Sequence, residues 1–229
     1  MARILYELAG KDGRRASPFC WRARLALAHK GLPVLFEGCR YTGKDKIAFS
    51  GHDRYPVLVD GDRIVPDSWA IACYLDEAYP DRPSLFGAPA NRGFARFLNE
   101  WADMLDQLLF PAIVLDCWEA VHADDRSYYR QSREARFGRS LESVQADRPQ
   151  HAAAVAAAWP PLRRMLTAQP WLAGDAPAYA DYTVFGVLQW TRCVSPWQYL
   201  ERDDPIYEWR SRMIGLFDRL ADSVPHYDW

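Results

Sequence analysis

Residues 17–20, Ser17-Pro18-Phe19-Cys20, hold the spacing with the most chemistry in it. A thiol–disulfide enzyme would place C-P-x-C at the head of a helix; here the first cysteine is Ser17 and the second, Cys20, remains. Serine favours the N-cap and proline the first helical position, so the stretch predicts a helix start. A helix N-terminus carries partial positive charge and unpaired N–H groups, which favour an anion. Three roles are therefore open. Ser17 caps the helix. Its hydroxyl donates a hydrogen bond to a thiolate brought in from outside. Or Cys20, at about the third helical position, does monothiol chemistry with a lowered pKa, unless it is simply buried. No histidine lies beside Ser17 in the sequence to take its proton, so the neutral serine is not expected to act as a base.

The elements needed to present this stretch are readable around it. "RILYEL" (3–8) is a strand, followed by a Gly/Lys/Arg loop. "PFCWRARLALAHKG" repeats apolar residues at helical spacing and ends at Gly31. "PVLFEG" (33–38) is a second strand. "YPVLVDGDRIV" (55–65) is a hairpin turning at Asp60-Gly61-Asp62. "DSWAIACYLDEAYP" (67–80) is a helix with Ile71, Tyr74, Leu75 and Ala78 on one face. The order β-α-β, then β-β-α, gives a small mixed α/β domain. We place this domain at residues 1–79, a Pro-rich linker at 80–89, and an all-helical domain at 90–229. Five helical stretches are expected in the second half: 91–110, 125–147, 150–168, 181–194 and 205–222. Pro111, Pro160-Pro161 and Pro196 are expected to end or bend helices.

Composition excludes several function classes. With 49% hydrophobic and 25% charged residues the chain reads as a globular protein with ample core. A formal net charge of -2 gives no support to a nucleic-acid partner or an anionic membrane. No apolar run approaches the roughly 20 residues that span a bilayer, and the N-terminus reads as a strand, not a leader. The five cysteines show no C-x-x-C spacing, so neither a metal site nor a disulfide framework is expected, and a cytoplasmic location fits. Most of the ten tryptophans lie beyond residue 100, as core or as the wall of a wide apolar pocket.

In order and spacing these features resemble the cytosolic glutathione transferases over nearly the whole chain. "SPFCWRARLALAHKG" resembles the serine-type members, which implies a catalytic role for Ser17, with Phe19 beside it in the binding site. "RYPVLVDG" resembles the family segment with a cis-proline, here Pro56, which implies that Tyr55 offers its backbone to the cysteinyl unit of glutathione. "DSWAIACYLDEAYPDRPSLFG" resembles the segment whose acidic-Ser pair, here Asp67-Ser68, holds the γ-glutamyl end. The glycyl carboxylate would need a cation from among Arg40, Lys44, Lys46, His52 and Arg54, of which Lys44 is favoured. The motifs look most like the β-etherase-like subgroup, which implies glutathione as cosubstrate, an apolar or aromatic electrophile, possible cleavage of β-aryl ethers, and a homodimer. The electrophile is expected between the domains, with Trp101, Leu105, Leu108, Trp118 and Tyr128 as candidate pocket residues, though a place in the core is the favoured reading for each. The alternatives are a thiol transferase using Cys20 and a non-catalytic glutathione-binding protein. One departure stands out: where the family caps a buried helix with Ser/Thr/Asn-x-x-Asp, "AYAD" keeps Asp181 but puts Ala178 at the cap, at an expected cost of about 1 kcal/mol.

Overall fold

The computed structural model describes residues 3–88 and 91–228. β1 (Arg3–Leu8) pairs in parallel with β2 (Leu35–Cys39) through the crossover helix α1 (Pro18–His29), and antiparallel with β3 (Val57–Asp60). β3 turns into β4 (Arg63–Pro66), and the sheet order is β2-β1-β3-β4. Helix α2 (Ser68–Ala78) packs on α1 and on the hairpin. This is a thioredoxin-like α/β domain. Among the described residues the segment after it carries no regular element up to α3 (Asn91–Ala120); the boundary expected between residues 89 and 90 lies outside the described residues. The rest is helical: α4 (Arg126–Phe137), α5 (Leu141–Ala146), α6 (Arg148–Ala158), α7 (Pro160–Ala168), α8 (Tyr179–Val194) and α9 (Pro205–Ile214).

Local chemistry accounts for most of these limits. Ser17 is extended and its Oγ accepts the Cys20 N–H at 3.3 Å, Pro18 opens α1, and Gly31 takes the left-handed conformation that ends the turn (φ +61°). Asp67 caps α2, its Oδ1 accepting from Trp69 N and Ala70 N at 2.9 and 3.0 Å. The hairpin strand begins at Val57, two residues later than the pattern predicts, because Tyr55 and Pro56 stand outside the ladder, joined by a cis peptide bond. β2 likewise begins at Leu35, where its pairing with Ile4 starts.

Three expectations need correction. Pro111 does not end its helix: α3 runs on to Ala120. The missing N–H costs one bond, but Ile113 and Val114 beyond it are fully buried, and tertiary packing outweighs the local penalty. The helix expected over 125–147 is two, separated at Gly138, whose φ of +66° breaks the repeat. The one expected over 205–222 ends at Ile214; Phe217, Asp218 and Arg219 then all take positive φ, and the Phe217 ring packs on His29 and Tyr182. Pro160 and Pro196 act as expected, Pro160 opening α7 and Pro196 following the end of α8.

Helix α8 is buried along its whole length and is the axis on which both domains pack. It lies against α1 at Gly186, where an added Cβ would come within 2.7 Å of the Pro18 carbonyl. Arg22 of α1, fully buried, bonds Asp103 at 2.6 Å, Asn99 at 3.1 Å and the Thr183 carbonyl at 3.2 Å. Underneath α1, the buried carboxylate of Glu7 takes Arg15 (2.6 Å) and Arg24 (2.7 Å through each of two nitrogens). This fixes the loop before Ser17 and the helix after it to the central strand. The start of α1 is therefore held from three sides.

Candidate functional site

A cavity of about 460 Å³ opens between the domains at the N-terminus of α1. On the α/β side it is lined by Leu8, Ala16, Ser17, Pro18, Phe19, Tyr41, Lys44, Asp53, Arg54 and Tyr55. On the bundle side it meets residues of α3 (Asp106, Phe110, Cys117), α4 (Tyr128, Tyr129, Ser132, Arg133, Arg136) and Trp190 of α8.

Ser17 is only 4% exposed yet lines this cavity. Its oxygen accepts from the Cys20 N–H, so its own hydroxyl proton can be donated into the cavity. Cys20 is placed for the opposite role. It is fully buried, is not part of the cavity wall, and its sulfur accepts from Leu8 N at 3.4 Å. Burial, with the Glu7 charge adding to it, pushes its thiol up to about 12. A reactive cysteine needs access and a thiolate; Cys20 has neither.

The other expected residues divide. Phe19, Lys44 and Tyr55 line the cavity with Ser17; Pro56, Asp67 and Ser68 do not. Tyr55 donates to the Gly43 carbonyl at 2.7 Å and so anchors the turn that carries Lys44, whose ammonium lies 3.4 Å from Asp53. Asp67 uses one carboxylate oxygen as the cap of α2, and Ser68 is buried with its carbonyl accepting from Tyr179 Oη at 2.9 Å. Of the cation candidates, Lys44 and Arg54 reach the cavity. Arg40 is tied to Asp124 and Asp125, Lys46 to Glu37, and His52 is outside the wall.

Of the five residues expected around the electrophile, only Tyr128 lines the cavity. Leu105 is core, Leu108 packs against it, Trp101 meets Trp159 edge-on, and Trp118 lies beneath Arg126 and Arg130 while its Nε1 donates to the Arg126 carbonyl. Sequence reasoning missed Tyr41, Asp106, Phe110, Cys117, Tyr129, Ser132, Arg133, Arg136 and Trp190. The signal available was helical spacing: 106, 110 and 117 fall on one face of α3, and 129, 132, 133 and 136 on one face of α4. Tyr41 owes its position to Asp125, fully buried, which accepts from Tyr41 N (3.1 Å) and Thr42 Oγ1 (2.5 Å). Burial alone would raise that carboxyl, but Thr42, Arg40 and the Tyr41 N–H hold it below its ordinary value.

Asp106 stands in contrast. Desolvation in the cavity wall pushes its carboxyl from 3.8 to about 6, against the pull of Arg22 and Arg136 and with repulsion from Asp103. Its folded pKa exceeds its unfolded one, so the ionised form is the costly one. The penalty is absent below the unfolded pKa, grows as pH rises through about 6, and is full above it. Asp106→Asn is therefore expected to raise stability by on the order of 2 kcal/mol near pH 8, with about half that gain near pH 5. Urea unfolding midpoints of both proteins at the two pH values check this; an equal gain at both would show that ionisation is not the cause.

An α/β domain with a cis-proline loop, joined through the head of α1 to a helical bundle, defines a two-domain protein with a shared cleft. Comparison with known proteins agrees. Residues 13–83 match the model described as "Glutathione S-transferase, N-terminal domain", and residues 94–213 that described as "Glutathione S-transferase, C-terminal domain". The chain belongs to the glutathione S-transferase family. It is 30% identical over 179 residues to glutathione S-transferase U22 of Arabidopsis thaliana, covering 76% of this chain and 69% of that one. It is 36% identical over 103 residues to the probable glutathione S-transferase GSTU1 of Oryza sativa subsp. indica, a match spanning 41% of this chain and 44% of the length of that relative. Among solved structures, the glutathione S-transferase CsGST63524 of Ceriporiopsis subvermispora in complex with glutathione superposes with a TM-score of 0.81 at 22% identity, covering 98% of this chain and 99% of that one. No helix among the described residues is long and apolar enough to cross a membrane.

Proposed function

We propose that this protein is a serine-type glutathione transferase that conjugates glutathione to an aromatic electrophile in the cleft between its domains. The observation that carries the reading is Ser17: a hydroxyl held at the N-terminus of α1, buried, with its proton available to a cavity shared by both domains. Ser17 and the helix end stabilise the glutathione thiolate. Its sulfur forms the C–S bond, the leaving group departs with the electron pair of the bond it breaks, and the thiol proton passes to solvent. Phe19 and the backbone of Tyr55, set by Pro56, bind the cysteinyl unit. Lys44 takes the glycyl carboxylate. The free oxygen of Asp67 takes the γ-glutamyl ammonium, and Ser68 at the head of α2 takes its carboxylate. Within this reading the chain is a cytoplasmic homodimer; Phe94, Phe97 and Met104, exposed at 37%, 65% and 43% on α3, offer an apolar stripe for the partner copy. The motif likeness to the β-etherase-like subgroup makes an aryl ether the natural first electrophile, with a phenolate leaving.

The test is turnover of glutathione with a β-O-4 aryl ether and with a chloro-nitroarene, alongside calorimetric binding of glutathione. Conjugation of either is expected, and the better one distinguishes etherase from general transferase. Binding without any conjugation would leave a glutathione-binding protein. The burial of Cys20 speaks against thiol transfer through it.

A further inference from the structure

The bundle wall of the cleft is not the apolar surface that a plain hydrocarbon electrophile would need. Along α4 and the turns beside it, the arginines outside the cavity wall are matched with carboxylates: Arg126 with Glu119 at 2.9 Å, Arg130 with Glu134 at 2.9 Å and Glu142 at 2.8 Å, Arg139 with Asp147 at 2.9 Å. Arg133 and Arg136, the two that line the cavity, form no ion pair among the described residues. They are three residues apart on one helix face, where like charges repel unless an anion is shared between them. Across the cleft Lys44 and Arg54 share a single carboxylate, Asp53. Among the described residues the other acid in the wall is Asp106, on the bundle side, which attracts Arg136 without forming an ion pair with it.

Both guanidinium groups lie over rings, the half-buried Arg133 more closely than the exposed Arg136. Arg133 lies 4.4 Å from the Tyr129 centroid and 5.5 Å from that of Tyr41, and donates to Ser132 Oγ at 2.8 Å. Arg136 lies 5.3 Å from the Phe110 centroid. A guanidinium resting on aromatic faces keeps in-plane N–H donors for a planar oxyanion, with less entropy left to lose on binding. The same rings provide a surface on which an aromatic ligand can stack.

We propose that the electrophile is an aromatic compound bearing a carboxylate-class anion, which Arg133 and Arg136 bind while its ring lies against Phe110 and Tyr41. This rests on the transferase reading of the cleft, and it commits that reading to an acidic aromatic in place of a neutral one.

Two measurements on the full chain separate the two. The first is calorimetric binding, in the presence of S-methylglutathione, of 3-nitrobenzoate and of its methyl ester. The second is conjugation of glutathione to 4-chloro-3-nitrobenzoate and to its methyl ester, each rate divided by the uncatalysed one. The acid is expected to bind about tenfold more tightly than the ester and to be preferred in turnover by a similar factor. Arg133→Met/Arg136→Met should abolish both preferences through Kd and KM, and Arg133→Lys/Arg136→Lys should restore part of them. Glutathione affinity should stay unchanged throughout, which also shows that the variants are folded. Equal binding of acid and ester, a preference that survives the double methionine variant, or loss of glutathione affinity in that variant would each overturn the proposal. Selective binding of the acid with no conjugation of either electrophile would leave the anion site standing and remove the transferase reading instead.

Discussion

Replacing Ser17 by alanine is expected to lower kcat/KM about 10²–10³-fold, the loss typical when one hydrogen-bond donor to a developing or stabilised anion is removed, equivalent to about 3–4 kcal/mol. The affinity for glutathione should change far less, because the peptide is held along its length by other groups and only the thiolate feels the hydroxyl. The pH dependence should move with it: without the serine proton the bound thiol ionises at higher pH, so the variant recovers part of its rate in alkaline buffer. The same substitution also removes the cap of α1, since Ser17 Oγ is what accepts the Cys20 N–H. That cost is about 1 kcal/mol of stability, too little to empty the folded state. Cys20→Ser is the companion variant. It exchanges a thiol that is fully buried outside the cavity wall, so it is expected to lower stability while leaving the rate close to wild type. Steady-state kinetics with a chloro-nitroarene, together with calorimetric titration of glutathione, read all of these. An unchanged rate in Ser17→Ala would reduce the serine to its structural role as a cap.

The largest stability effect is expected at Asp181. Ala178 gives the head of α8 no side-chain cap, and the other half of the motif, Asp181, carries that end of the helix. Asp181 is fully buried, and its two oxygens accept from Leu172 N (2.8 Å), Ala173 N (3.3 Å), Ala178 N (3.1 Å) and Trp209 Nε1 (2.9 Å). One carboxylate thus closes the loop before α8, satisfies the head of that helix and fastens α9 to it. Burial raises its carboxyl above its ordinary value, and the four donors pull the other way without fully offsetting it. Asp181→Ala leaves four donors without an acceptor in the interior, where each unmet group costs about 1–3 kcal/mol. Allowing for relaxation and water entry, a loss of at least about 4 kcal/mol is expected. Asp181→Asn keeps an acceptor oxygen and should lose less. Urea denaturation of the three proteins decides the order; an Asp181→Ala protein as stable as wild type would mean that the loop re-forms its bonds elsewhere. Because α8 carries Trp190 of the cleft and meets α1 beside Pro18, the partly destabilised Asn variant is also expected to lose activity before it loses fold.

Capping, periodicity and turn chemistry act within a few residues, and they were legible in the chain. Ser17-Pro18 starts α1, Gly31 ends it, Asp67 starts α2, and Asp60 to Arg63 turns the hairpin. Each is a local bond or a local dihedral preference, so neighbouring residues were enough to determine it. The two-domain plan followed from the change in periodicity, and the resemblance to the family from three motifs that are each contiguous. What lay beyond the sequence was long-range. Pro111 sits inside a helix because buried side chains beyond it pack on other helices. Cys20 is inert because the strand beside it buries the sulfur, though its place in the helix would suit a thiolate. The bundle wall of the cleft went unread for the same reason. Trp101, Leu105, Leu108 and Trp118 were candidates for the pocket with the core as the favoured reading, and each is taken up by the core or by its neighbours. Which face of α3 and α4 turns toward Ser17 is set by where α8 holds the two domains together, and no stretch of sequence carries that information by itself.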